Sequence, residues 1–175
     1  MEMRRRETRL NQEMEHFALN ARKHQYRVAI DWTGNDGRGT ASYTSYGRDH
    51  LISGSLKEPI SGSADRAFHG DVTRWNPEEL LVGAISACHQ LWYLHLCADA
   101  GVVVESYHDD AEGVMVEDAS RGGAFAEVVL NPTVIVARTS DAELAMALHV
   151  EAHSKCFISN SLNFDVKVSP RVTIS

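Results

Sequence analysis

The stretch from Asn76 to Asp99 constrains this chain more than any other. Asn76 suits a helix N-cap, Pro77 the first helical position and Glu79 the reciprocal place in a capping box, so a helix begins here. It runs to about Asp99, with Gly101 ending it. Its apolar residues (Leu80, Leu81, Val82, Ala84, Ile85, Ala87, Leu91, Trp92, Leu94 and Leu96) surround the axis instead of forming one stripe. A helix of that kind must be covered on every side, which makes it the buried centre of the fold.

The elements around it follow from periodicity and turn chemistry. Residues 26–32 alternate as a strand, 34–39 form a glycine-rich turn, and 40–46 read as the returning strand of a hairpin. A third strand is expected over 50–55, then a long ordered loop over 54–73. Strands are expected over 102–107, 111–117, 125–130 and 133–138. A second helix starts at Ser140, with Glu143 completing a capping box, and a last strand spans 164–174. This order predicts an α+β domain with segregated elements over 24–175, preceded by a charged arm over 1–23.

Charge narrows the partners. Against 24 Asp and Glu stand 17 Lys and Arg, and a net charge of −7 disfavours nucleic acid and anionic membranes. Arg4, Arg5 and Arg6 precede polar residues, not the apolar segment of a signal peptide. No apolar run is expected to approach the ~20 residues that span a bilayer. Three cysteines are too few for a secreted disulfide framework, so the expected compartment is the reducing cytoplasm. There, two thiols at one site imply redox chemistry or a metal.

Cys88 lies mid-helix in Ser86-Ala87-Cys88-His89, and Cys156 follows the second helix in Lys155-Cys156-Phe157-Ile158-Ser159. Either cysteine can serve simply as a small buried hydrophobe. Cys97 fits that role best, because nine residues at about 100° each put it on the face opposite Cys88. A reactive thiolate needs positive charge nearby, for which Arg38, Arg48 and Arg74 are candidates, with Glu78 or Glu79 to hold the arginine. A rival reading takes His149, His153 and Cys156, with His89, as a zinc or iron site. The glycines of 34–39 lie between two strands, which suits a turn and not a phosphate cradle.

The strings Asn76-Pro77-Glu78-Glu79-Leu80-Leu81, Ser86-Ala87-Cys88 and Cys156-Phe157-Ile158-Ser159-Asn160-Ser161 together resemble the OsmC/Ohr family, the osmotically inducible protein C and organic hydroperoxide resistance proteins. The resemblance covers about 24–170 and includes Gly47-Arg48-Asp49. It implies strands wrapped around a buried central helix in an intertwined homodimer. It implies a cysteine-based peroxidase with Cys88 as the peroxidatic cysteine and Cys156 as the resolving one. Arg48 then matches the activating arginine and Glu78 its carboxylate partner. No cofactor or metal is implied; the partners are a hydroperoxide and a dithiol reductant, a lipoylated protein or dihydrolipoamide. Trp75, Trp92, Phe68 and Phe157 are candidates for the apolar wall of an organic hydroperoxide site. His89 stands where the hydroperoxidase branches carry an aromatic residue, and Phe157 where they carry proline. The match is therefore nearer an OsmC-like branch, and the alternative is a non-catalytic ligand- or metal-binding protein on the same fold.

One geometric condition goes with the resemblance. Glu78 and Cys88 on one straight helix are ~15 Å apart along its axis. Either the helix breaks near Gly83, or Arg48 and Glu78 reach the Cys88 of a partner subunit, which is the favoured arrangement.

Overall fold

The expected helix is unbroken from Pro77 to Asp99 (α1) in the computed structural model, which describes residues 22–118 and 122–175. The expected arm over 1–23 falls, but for Arg22 and Lys23, outside the described residues. At the start of α1, Asn76 Oδ1 accepts from Glu79 N at 2.7 Å, and the Glu79 carboxylate accepts from Asn76 N at 3.2 Å. That reciprocal cap fixes where the helix begins. No other group crowds Gly83, and the helix does not break there.

The strands form three three-stranded sheets. The first joins β1 (Ala29–Trp32), β2 (His50–Ser53) and β3 (Ile60–Gly62), all antiparallel. The second has the order β4 (Val104–Asp109), β7 (Pro132–Val136) and β9 (Arg171–Ile174). The third has β5 (Glu112–Asp118), β6 (Gly122–Leu130) and β8 (Asp165–Val168). The second helix, α2 (Ala142–Lys155), packs against α1.

Four expectations about element bounds, caps and pairing need correction. Residues 40–46 form turns, and β1 pairs instead with β2, Trp32 facing His50. The cause is local: Asn35 Oδ1 accepts from Gly37 N and Gly39 N, and the Ser45 hydroxyl donates to Ser42 O. Side chains that bond nearby backbone in this way draw it from a ladder. The loop over 54–73 contains β3 and a 3-10 turn at Arg66–Phe68. The cap of α2 is Asp141, whose carboxylate accepts from Glu143 N and Leu144 N, while the Ser140 hydroxyl accepts from Val103 N. The last strand breaks at Ser169 and Pro170 into β8 and β9. These run parallel to β6 and β7 respectively, in two different sheets.

The burial of α1 differs from the expected uniform coat. Ile85, His89, Tyr93 and Cys97, one stripe at i, i+4 spacing, are its buried residues within the chain. Tyr93 and Cys97 pack with Val134 and Val136 of β7 and with Ala145, Leu148 and Ala152 of α2. Ile85 packs with Val128 and Leu130 of β6. Leu91 stays 68 % exposed. By length and composition alone α1 could cross a membrane, with a mean hydropathy of 1.3 over its most apolar window, which corrects the expectation that no run is long enough. In the chain it packs against α2 and β7 along one part and against β6 along another, and leaves the face carrying Ala84, Ala87 and Leu91 exposed.

Candidate active site

The C-terminal end of α2 brings Cys156 to α1, with the Cys88 thiol within hydrogen-bonding reach of its sulfur. Cys88 is half-buried; Cys156 is fully buried at the C-cap of α2. Burial pushes the Cys88 thiol up, and the hydrogen bond to Cys156 adds to the rise. Backbone N–H groups of Ile158 and Phe157 pull it partly back by favouring charge on the sulfur. Cys156 Sγ accepts two hydrogen bonds of its own, from Ser159 Oγ at 3.2 Å and Ser159 N at 3.4 Å. One short segment, Cys156 to Ser159, therefore supplies both the hydrogen bonds to the Cys156 sulfur and the backbone groups that favour charge on Cys88.

The other site candidates divide. Trp92 and Phe157 meet edge-on at 5.5 Å beside the two cysteines, and Lys155 Nζ lies 5.8 Å from the centre of the Trp92 ring. Phe68, Trp75 and Glu78 line a separate cleft of about 820 Å³, together with Val82, Ser86 and Asp109. Arg48 is not at Cys88 within the chain. Its guanidinium donates to Tyr43 O and Tyr46 O and sits over both tyrosine rings. Neither Arg48 nor Glu78 is among the groups acting on Cys88. Since α1 is unbroken, a break at Gly83 does not bring Glu78 to Cys88.

Of the other arginines, Arg38 pairs with Asp36, and Arg74 with Asp49 and Asp71. Cys97 belongs to the core between α1, α2 and β7, and burial raises its thiol. Among the described residues no group of three or more His, Cys, Asp or Glu is arranged to hold a metal ion. His89 and His149, two of the residues in the metal reading, are fully buried and bonded to each other, Nε2 to Nδ1 at 3.0 Å. Tyr93 stacks on His149 at 3.8 Å.

That pair has a titration consequence. One imidazole must donate and the other accept, so at least one is neutral. Burial lowers the His89 pKa to about 4, reinforced by His153 and opposed by Asp109; burial and His89 lower His149 to about 3. In the unfolded chain both titrate near 6.5. The unfolded state then binds more protons below that value. Their contribution is fully present above pH ~6.5 and is lost as pH falls toward 4 and then 3. Urea melts between pH 7 and 4 should show stability falling by about 1 kcal/mol per pH unit for each histidine. His149→Phe should flatten that slope; an unchanged slope would exclude the pair as its source.

Two features of the site were not legible in the sequence. The Ser159 hydroxyl was signalled only by its place three residues after Cys156, where a tight turn can fold it back onto the sulfur. The His89–His149 bond joins two helices that no local pattern pairs.

A helix cysteine met by a second cysteine at the end of a later helix, inside an α+β frame of three small sheets, defines a two-thiol site. The OsmC-like protein family model matches residues 69–171, and the chain belongs to that family. The uncharacterized protein YmaD of Bacillus subtilis is 24% identical over 156 residues, 86% of this chain and 95% of that protein. An OsmC-like protein of unknown function from Vibrio cholerae superimposes with a TM-score of 0.75 at 28% identity, covering 85% of this chain and 99% of its own. An organic hydroperoxide resistance protein from Elizabethkingia anophelis shares the fold, with a TM-score of 0.62 at 18% identity over 88% of this chain and 100% of its own. The expected OsmC-like α+β fold is thus borne out.

Proposed function

We propose that this protein is a thiol peroxidase that reduces organic hydroperoxides in a reducing, cytoplasmic compartment. The observation that supports the reading is the approach of Cys88 and Cys156, with the backbone of Phe157 and Ile158 favouring charge on Cys88. The Cys88 thiolate attacks the distal peroxide oxygen, the O–O bond breaks, and the alkoxide leaves as alcohol after taking a proton. Cys88 becomes a sulfenic acid. Cys156 then displaces its hydroxyl as water, giving a Cys88–Cys156 disulfide. An external dithiol, dihydrolipoamide or a lipoylated protein, restores both thiols. Trp92 and Phe157, the latter 65 % exposed, supply an apolar wall at the sulfurs, with Phe68 and Trp75 in the neighbouring cleft. Membership in a family with organic hydroperoxide resistance proteins among its structural neighbours supports this reading.

A half-buried thiol that is pushed up needs a positive charge before it can attack. We assign that charge to Arg48, steadied by Glu78, of a second subunit in a homodimer. Arg48→Ala should raise the Cys88 pKa further and slow its reaction with cumene hydroperoxide by about 100-fold, the loss of one charge-assisted hydrogen bond and its field. Thiolate absorbance titrated in both proteins checks this; coincident curves would assign activation to another group.

The reading as a whole is tested by following consumption of cumene, fatty-acid and hydrogen peroxides with dihydrolipoamide as reductant. Turnover fastest with the organic peroxides is expected. No turnover with any of them would favour the non-catalytic binding protein, a reading that the raised Cys88 thiol of the single chain also suits.

A further inference from the structure

The two sulfurs are not equivalent, and the difference bears on how the oxidised protein is returned to its thiol form. Thiol attack on a disulfide selects the accessible sulfur and expels the one that better carries charge. Cys156 Sγ is fully buried, whereas Cys88 is half-buried and so reachable. The Ser159 hydroxyl and amide, at 3.2 and 3.4 Å from Cys156 Sγ, are placed to receive charge on that sulfur as it leaves. The backbone of Phe157 and Ile158 favours charge on Cys88, but burial and the adjacent sulfur outweigh it, and the thiol is pushed up.

Ser159 is held independently of its hydroxyl. Asn160 N donates to Cys156 O at 3.0 Å and Leu162 N to Ser159 O at 3.2 Å, closing the 3-10 turn Ser159–Ser161. The Asn160 side chain donates to Ser154 O at 3.0 Å, tying the turn back to α2. The hydroxyl is thus presented to Cys156 by a scaffold that does not depend on it.

We infer that Ser159 makes Cys156 the leaving sulfur of the Cys88–Cys156 disulfide, so that the reducing dithiol attacks Cys88 and is carried there as a mixed disulfide. A thiolate sulfur of the dithiol bonds to Cys88 Sγ as the Cys88–Cys156 bond breaks. The bonding pair passes to Cys156 Sγ, where the Ser159 donors receive the charge before solvent protonates it. The second thiolate of the dithiol then attacks its own bound sulfur, closes a cyclic disulfide and releases Cys88. Two electrons pass from dithiol to protein. Ser159 acts through Cys156 and is a positioning residue.

This inference rests on the disulfide of the proposed cycle, and the test separates the two. The full chain is oxidised once with cumene hydroperoxide and once with diamide, then mixed with excess 2-mercaptoethanol. Acid-quenched samples are mapped by peptide mass spectrometry. The expected mixed disulfide lies on Cys88, at least ~10-fold over Cys156. Ser159→Ala should slow its formation about 10-fold, the effect of one hydrogen bond to a charged group. Ser159→Thr, which keeps the hydroxyl, should restore the rate, an outcome that a purely structural role does not give. Adduct on Cys156, equal partition, or an unchanged rate in Ser159→Ala would overturn the inference. Disulfide from diamide but none from peroxide would refute the peroxidase reading while leaving the inference to be decided on the diamide sample. No Cys88–Cys156 disulfide from either oxidant would overturn both.

Discussion

Cys88→Ser is expected to abolish peroxide turnover, with a loss of ~10³-fold or more, the scale on which removal of a nucleophile acts. Cys97→Ser should leave turnover largely intact. Cys97 is 1 % exposed and packed with Tyr93, Val102, Val134 and Val136, where burial keeps it a thiol. Its replacement costs some packing but removes no reacting group. Purified variants with equal circular dichroism, assayed for cumene hydroperoxide loss, decide the matter. Equal loss in the two would remove Cys88 from its proposed role.

The second large effect concerns assembly. Leu91 of α1 is 68 % exposed, and Val28, Ile30 and Trp32 around β1 are exposed as well. A polar residue at an exposed surface position usually changes stability by about 0.5 kcal/mol or less. In the proposed homodimer Leu91 is instead a covered residue, and a buried unpaired carboxylate costs several kcal/mol. Leu91→Glu should therefore leave a dissociated or unfolded chain. The wild type should sediment as a dimer at low micromolar concentration, with stability that rises with concentration. A folded, active monomer, or an undisturbed dimer in Leu91→Glu, would remove both the shared core and the cross-subunit role of Arg48 and Glu78.

How much was legible in the sequence depended on how local each determinant is. The start of α1 was written in four consecutive residues, Asn76 to Glu79, and the observed cap uses the first and last of them. The cap of α2 lies one residue beyond the serine that the sequence suggests, because Ser140 and Asp141 are both cap formers and only the tertiary bond from Val103 N occupies the serine. The break at Pro170 has a visible cause, since proline cannot donate to a ladder. The assignment of its two halves to different sheets does not. Cys88 and Cys156 stood out through the family pattern, and the structure brings them together. Arg48 shares that pattern, yet two tyrosine carbonyls hold it elsewhere within the chain. In the proposed homodimer that constellation is divided between two chains, and the spacing within one of them does not reveal it.

The division of the C-terminal segment at Ser169 and Pro170 also sets an order of assembly. β8 lies along β6 and β9 along β7, each pairing parallel and each joining residues roughly 40 apart in sequence. Parallel partners this distant cannot meet until α2 has turned the chain back, so the loop-closure entropy falls due before any ladder bond offsets it. Ser169 N, bonded to Leu130 O at the corner between β6 and β7, closes the two sheets together. The segment that carries Cys156 to Cys88 lies inside this same loop. Cys156 lies in sequence between these two parallel strands and their partners, so Cys88 has no partner sulfur from its own chain until this late segment has been made.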